Sequence, residues 1–208
     1  LSIIKKDNIE KYYAICKKWE QITNLTLEYT FYKKYVRRDV NNYIAVKDDD
    51  IKCKGIFLKD WPDRFSNQTD PLNRGWDKPI VSIALYEYFV NGTPITDTIR
   101  NHKDIHDFCI SSKIGDDFTN EFHYIKNGKL QIDILQKSVR YYVANRGGTL
   151  LKTDRKRDYI YNYEANHQVV IVNNLVGGID THDIDYAYYI NETHKIISKI
   201  INQQLSLF

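Results

Sequence analysis

Between residues 7 and 23 the apolar positions Ile9, Tyr12, Cys16, Trp19 and Ile22 or Thr23 recur at helical spacing. Asp7 and Glu10 form a capping-box-like start, so this stretch predicts an amphipathic helix. The period then changes. Leu27, Tyr29 and Phe31 alternate with polar neighbours, and Tyr43–Val46, Lys47–Asp50, Ile51–Phe57 reads as strand, turn, strand. Pro62, Pro71, Gly75 and Pro79 make residues 60 to 79 a crossing loop. Beyond it, Ile80, Ile83, Ala84, Tyr86 or Glu87 and Val90 mark a helix stopped by Asn91-Gly92. Thr93-Pro94 opens another, running to about Arg100, and His102 to Ile110 reads as a short helix. Phe122–Ile125 and Lys129–Ile132 flank Asn127-Gly128, the pair that supplies the positive φ angles of a type I′ hairpin turn. Strands are expected at 138–144, 149–152 and 168–173. A terminal helix should bury Tyr186, Tyr189 or Ile190, Thr193, Ile196 or Ile197, Ile200 and Ile201. The fold expected is α+β: a helix on a small antiparallel sheet, then a mixed region of helices and β-hairpins ending in a helix.

Composition changes this picture in three ways. A hydrophobic share of 42% with only 9 Gly and 4 Pro in 208 residues favours an ordered core over disorder. No apolar run reaches the roughly 18 residues of a membrane span, and Leu1–Lys6 is too short for a signal segment, so a cytoplasmic protein without membrane partners is expected. The three cysteines, Cys16, Cys53 and Cys109, suit reduced thiols. With Met 0 the chain lacks an initiator methionine, which suggests a fragment of a longer protein.

The net charge of +3 does not by itself argue for nucleic acid, so local clustering must decide. From 137 to 157 the chain carries Lys137, Arg140, Arg146, Lys152, Arg155, Lys156 and Arg157 against Asp154 alone, interleaved with Tyr141 and Tyr142. Such a stripe binds a duplex without sequence preference, because every phosphate it neutralises releases condensed counterions. The competing reading is a solvated loop around Gly147-Gly148, with the tyrosines in the core.

The segments Leu27–Lys34, Asp39–Val46 and Lys52-Cys53-Lys54-Gly55 resemble family B DNA polymerases just after their carboxylate-bearing catalytic motif. Ile83–Gly92, His102–Cys109 and Asp183–Ile190 resemble the thumb of phage polymerases of this type. The resemblance implies the end of a palm at residues 1–60 and a thumb-like DNA-binding region at 61–203. It implies that Tyr43 abuts the primer-template backbone, that Lys54 reaches the minor groove with Lys52 beside it, and that catalytic carboxylates and their Mg2+ lie upstream. No cofactor is expected in this fragment. Asn41 and Asn42 depart from the pattern, which has lysines there. A minor-groove lysine suits a replicative enzyme, since every base pair presents acceptors in that groove. The final residues Gln204, Leu205, Ser206, Leu207 and Phe208 are similar to the pentapeptide that binds bacterial sliding clamps, with two apolar side chains for a pocket and a glutamine for a polar niche.

Two other chemistries rank lower. His102 and His106 at i, i+4 spacing lack a second cluster of metal ligands. Asp39, Asp48, Asp49 and Asp50 could suggest two-metal catalytic carboxylates, but Asp48 to Asp50 fall in a turn, where acidic residues are the default. The expected function is therefore the DNA-gripping, clamp-recruiting part of a DNA-directed DNA polymerase, inactive alone. The alternatives are a noncatalytic DNA-binding accessory protein recruited by a clamp and an interaction module with no nucleic-acid role.

Overall fold

The computed structural model describes residues 8–48, 50–57, 77–172 and 183–206, with backbone alone from 202 onward. Most of the expected loop at 60–79 lies outside them. Helix α1 spans Ile9–Thr23 and ends on Asn24, whose N–H still reaches the Glu20 carbonyl at 2.9 Å and whose φ of 54° turns the chain out of the helix. Residues 27–31 form no strand. They fold back under α1, with Leu27 N–H donating to Glu20 Oε1 at 2.7 Å and the Tyr13 ring 5.2 Å from Tyr29. This contact turns Cys16 inward and leaves Trp19 and Ile22 41% and 75% exposed, so the buried stripe is narrower than the apolar spacing suggested.

Strands β1 (Lys34–Asp39), β2 (Asn42–Lys47) and β3 (Asp50–Lys54) form a three-stranded antiparallel sheet in that order. Val36 and Ile44 point to one face and are buried with Phe57, whose ring meets Phe89 at 6.1 Å. Phe89 lies past helix α2 (Pro79–Tyr86), in a π-helical turn Glu87–Asn91 that Gly92 closes at the expected stop. Proline at the first turn of α2 costs nothing, because its missing N–H would have had no partner. Helix α3 is Ile95–Asn101. Where one short helix was expected at 102–110, a 3-10 turn at Ile105–Phe108 leads instead into strand β4, Ile110–Lys113.

The hairpin is longer than the alternating pattern implied: β5 is Phe118–Lys126 and β6 is Lys129–Leu135, joined by Asn127 (φ 51°) and Gly128 (φ 72°). With β7 (Ser138–Ala144), β8 (Gly148–Asp154), β9 (Tyr159–Asn162) and β10 (Gln168–Ile171), these strands make a seven-stranded antiparallel sheet ordered β4-β7-β10-β8-β5-β6, with β9 pairing β8. β7 sits inside the sheet and is buried from Val139 to Ala144.

Helix α4, Tyr186–Ser206, buries Tyr188, Tyr189, Thr193, Ile197 and Ile200. It also finishes an edge. Strand β4 stops beside Tyr141, and from there residues before α4 take over: Asp185 N–H donates to the Val143 carbonyl at 3.1 Å and Asn145 N–H to Asp183 at 2.7 Å. The Val143 N–H donates to the Tyr189 hydroxyl at 2.8 Å, and that hydroxyl donates to the Phe108 carbonyl at 2.8 Å. One core cluster runs from Val36 and Phe57 through Leu85 and Phe108 to Leu150 and Ile200, so both sheets share an interior.

Tyr189→Phe should therefore destabilise the protein by about 1 to 3 kcal/mol, because it orphans a buried N–H and a buried carbonyl. Urea unfolding should show a lower midpoint at an unchanged slope, and an unchanged midpoint would show that the hydroxyl bridge carries no stability.

Candidate nucleic-acid interface

Side chains alternate across a strand, so the registers decide which residues share a face. In the three-stranded sheet Arg37 lies opposite Tyr43, Tyr43 opposite Lys54, and Tyr35 and Lys52 opposite Ala45. Tyr35, Arg37, Tyr43, Lys52 and Lys54 therefore occupy the face away from Val36 and Ile44. Tyr35 and Tyr43 stack at 5.5 Å with 25° between their planes, and Tyr32 adds a third ring 5.9 Å from Tyr35. Burial and the neighbouring Tyr43 hold the Tyr35 hydroxyl above its ordinary pKa, so it stays neutral. Lys52 and Lys54 are exposed. The arrangement is an aromatic floor edged by cations.

The turn behind Lys54 is braced by the two asparagines that replace the expected lysines. Asp39 Oδ1 accepts from the Asn41 N–H at 2.9 Å and from Asn42 Nδ2 at 2.7 Å, while Asn42 Oδ1 accepts from the Ile56 N–H at 2.8 Å. The donated hydrogen bonds, that from Asn42 foremost, hold the Asp39 carboxyl below its usual pKa. Gly55, at φ 66°, has no room for a side chain: a Cβ there would lie 2.1 Å from Asn42 Oδ1 and 2.4 Å from the Asn41 carbonyl. Asn41 and Asn42 thus shape the Lys54-Gly55 turn instead of adding charge.

The stretch from 137 to 157 does not form one stripe. Lys137, Lys152, Arg155, Lys156 and Arg157 gather at one end of the large sheet. Lys137 Nζ donates to the Asp116 carbonyl at 3.3 Å and to that of Phe118. Lys152 Nζ stands 3.8 Å over the Phe118 ring and 5.3 Å from the Tyr161 ring. Arg155 pairs with Asp117, both well exposed. The turn that presents Lys156 is rigidly built, since Asp154 Oδ1 accepts from the N–H groups of Lys156 and Asp158, each at 2.8 Å. Arg157 takes φ 67° and donates from Nε to Glu121 Oε1 at 2.8 Å.

Three expected contacts fall elsewhere. Arg140 and Tyr141 are buried, 6% and 2% exposed, on a strand inside the large sheet, and no duplex can reach them. Tyr141 donates to Glu164 Oε1 at 3.2 Å. Arg140 lies close enough to Cys109 to offset part of the burial that pushes that thiol up to about 12. Tyr142 is core as well. Arg146 stands at the opposite end of β8, about 20 Å from the basic cluster at strand spacing, and pairs with Asp183 at 3.0 Å. The backbone of Gln204, Leu205 and Ser206 continues α4, while Leu207 and Phe208 lie outside the described residues.

His102 Nε2 is 2.5 Å from Asp107 Oδ2, which engages this histidine within its own turn. Among the described residues no group of three His, Cys, Asp or Glu side chains could hold a metal ion. Asp48 pairs with Lys33 at 3.0 Å, and Asp49 lies outside the described residues. Sequence reading missed Tyr35 and Arg37. Their signal was the alternation within Lys34–Asp39 opposite β2, legible once that stretch is taken as a strand. It also missed Phe118 and Glu121, which hold the basic cluster through contacts 19 to 36 residues apart in the chain. Compared with protein-family models, curated proteins and solved structures, the chain gives no match.

Glu121 links this end of the sheet to pH. Its carboxylate is buried and accepts from Arg157, from His123 Nε2 at 2.9 Å and from Thr153 Oγ1 at 3.3 Å. The Arg157 hydrogen bond leads in pulling its pKa down from 4.5 to about 2, against burial. A depressed carboxylate contributes stability that is complete above pH 4.5 and lost as pH falls toward about 2. The unfolding midpoint should therefore drop over that window, and Glu121→Gln should flatten the drop. An equally steep decline in the variant would assign the acid sensitivity to other groups.

Proposed function

We propose that this chain is the duplex-gripping part of a family B DNA-directed DNA polymerase of phage type, the end of a palm followed by a thumb. Nucleotidyl transfer would be carried by carboxylates and Mg2+ upstream of Leu1, and the place of action would be the cytoplasm of a bacterial host. The observation that supports this most is the Tyr35–Tyr43 stack edged by Arg37, Lys52 and Lys54 on one sheet face. Flat rings offer a surface for the sugar-phosphate backbone, and the lysines supply charge and donors that any base sequence satisfies. The cluster of Lys137, Lys152, Arg155, Lys156 and Arg157 adds a second phosphate-binding surface, of which Lys156 in its braced turn is the most available member. Among the described residues no helix is long and apolar enough to cross a membrane.

The pair Lys52→Glu, Lys54→Glu tests the reading. Both side chains are exposed, so the fold should persist while affinity for a primer-template duplex falls roughly tenfold or more and the salt slope drops by about two. Binding equal to that of the parent chain would end this assignment of the face. The chain alone should incorporate no nucleotide, and incorporation would refute the placement of the catalytic carboxylates upstream.

The C-terminal residues Gln204–Phe208 are proposed to tether the chain to a bacterial-type sliding clamp, an attachment that holds the enzyme near DNA without fixing its orientation. Because Gln204–Ser206 continue α4, docking in an extended form requires the last helical turn to unwind. Deleting the five residues should abolish clamp binding and leave the unfolding midpoint unchanged. A lowered midpoint would place them in the folded core instead.

A further inference from the structure

The outer edge of the large sheet is open. Strand β6 ends the sheet order, nothing among the described residues pairs with its outer side, and every residue from Lys129 to Ile134 is exposed. Edges of this length are usually blunted by a proline, a bulge or an inward-pointing charge. β6 has no proline, and its register with β5 runs unbroken from Asn120↔Leu135 to Lys126↔Lys129.

The turn fixes which backbone groups face outward. Lys126 and Lys129 bracket a two-residue turn and form its hydrogen-bonded pair, so Lys129, Gln131, Asp133 and Leu135 direct their N–H and C=O groups toward β5. Leu130, Ile132 and Ile134 direct theirs to the free side. The same three residues share one face and are 58%, 44% and 64% exposed, with Ile125, 67% exposed, opposite Leu130. Unpaired backbone groups and unpartnered apolar side chains thus coincide on the same residues.

We propose that β6 pairs antiparallel with β6 of a second copy of this chain, centred on Ile132, to join two sheets into one. The strand is complementary to itself in that register. Ile132 meets Ile132, Leu130 meets Ile134 and Ile134 meets Leu130, each an outward-facing pair, for about six backbone hydrogen bonds. The apolar row is then matched along its whole length. On the other face Gln131 lies opposite Asp133, an amide donor against a carboxylate, and no like charges meet. A shift by two residues pairs Leu130 with Ile132 but sets Ile134 opposite Gly128, leaving it without an apolar partner. An unrelated extended peptide has no such match to this row. The proposal does not depend on the DNA-binding reading.

Sedimentation of the 208-residue chain over a range of concentrations tests it. A small, edge-only contact predicts a monomer–dimer equilibrium with a dissociation constant of roughly 10 to 100 μM. Ile132→Lys places like charges together at the twofold axis and should weaken the dimer at least about tenfold. Ile132→Pro removes an outward N–H that β5 does not use and should do the same. Circular dichroism should remain that of the parent for both. Ile132→Cys should oxidise to a covalent dimer faster than Ile134→Cys, because only position 132 faces itself, at a Cα separation of roughly 5.5 Å that a disulfide spans. A monomer at every concentration overturns the proposal. So does a dimer that survives both Ile132→Lys and Ile132→Pro, since its contact then lies elsewhere, for instance on the exposed Trp19 and Ile22 face of α1.

Discussion

The hydroxyl of Tyr189 joins three parts of the chain that would otherwise meet only through apolar contact. It accepts from Val143 in β7 and donates to Phe108 at the entrance to the large sheet, while its own backbone belongs to the last helix. Its environment excludes water, and burial pushes its pKa well above the ordinary tyrosine value. In such a place an unmade hydrogen bond costs more than a made one contributes, so the hydroxyl specifies one docking of α4 where the isoleucines alone would accept several. Residues 183 to 185, immediately before α4, pair along the end of β7.

A second polar device locks the other side of α4. Lys78, in a left-handed conformation just before α2, donates to the Tyr188 hydroxyl and to Glu192, each at 3.1 Å. Tyr188 in turn donates to Glu164, which also accepts from Tyr141. Burial works against the charge of Lys78, yet Asp77, Tyr188 and Glu192 together hold its pKa above the ordinary lysine value, so it remains a cation. The small sheet packs on the other flank of these helices through Val36, Ile44 and Phe57. Its opposite face is the one proposed to meet DNA.

Charge alone was a poor guide to which cations are available. Seven lie between Lys137 and Arg157, but the sheet order separates them. Arg140 is interior, in a strand that β10 returns from far along the chain to pair beside, and no local pattern announces that return. Arg157 is drawn to Glu121 and Arg155 to Asp117, partners distant in sequence. The face bearing Tyr43, Lys52 and Lys54 was easier to find. Those residues lie on two strands joined by a short turn, where register follows from alternation.

Local chemistry was enough to determine α1, the β2–β3 hairpin, the end of the second helix at Asn91-Gly92, the Asn127-Gly128 turn and the Tyr189, Thr193, Ile197 and Ile200 part of the last helix's buried stripe, though not Ile201, which is exposed. Each depends on neighbours within a few positions: a period of apolar residues, a residue that tolerates positive φ, or a proline at a first turn. Tertiary structure alone decided the order of the seven strands, the burial of Arg140 and Tyr141, the exposure of Trp19 and Ile22, and the gathering of lysines around Phe118. Those outcomes depend on which surface covers which, and on pairings between segments whose closure entropy is repaid only when the whole core forms. A cation reads the same in sequence whether it ends in solvent or in the interior, because its fate lies with strands that pair beside it from elsewhere in the chain.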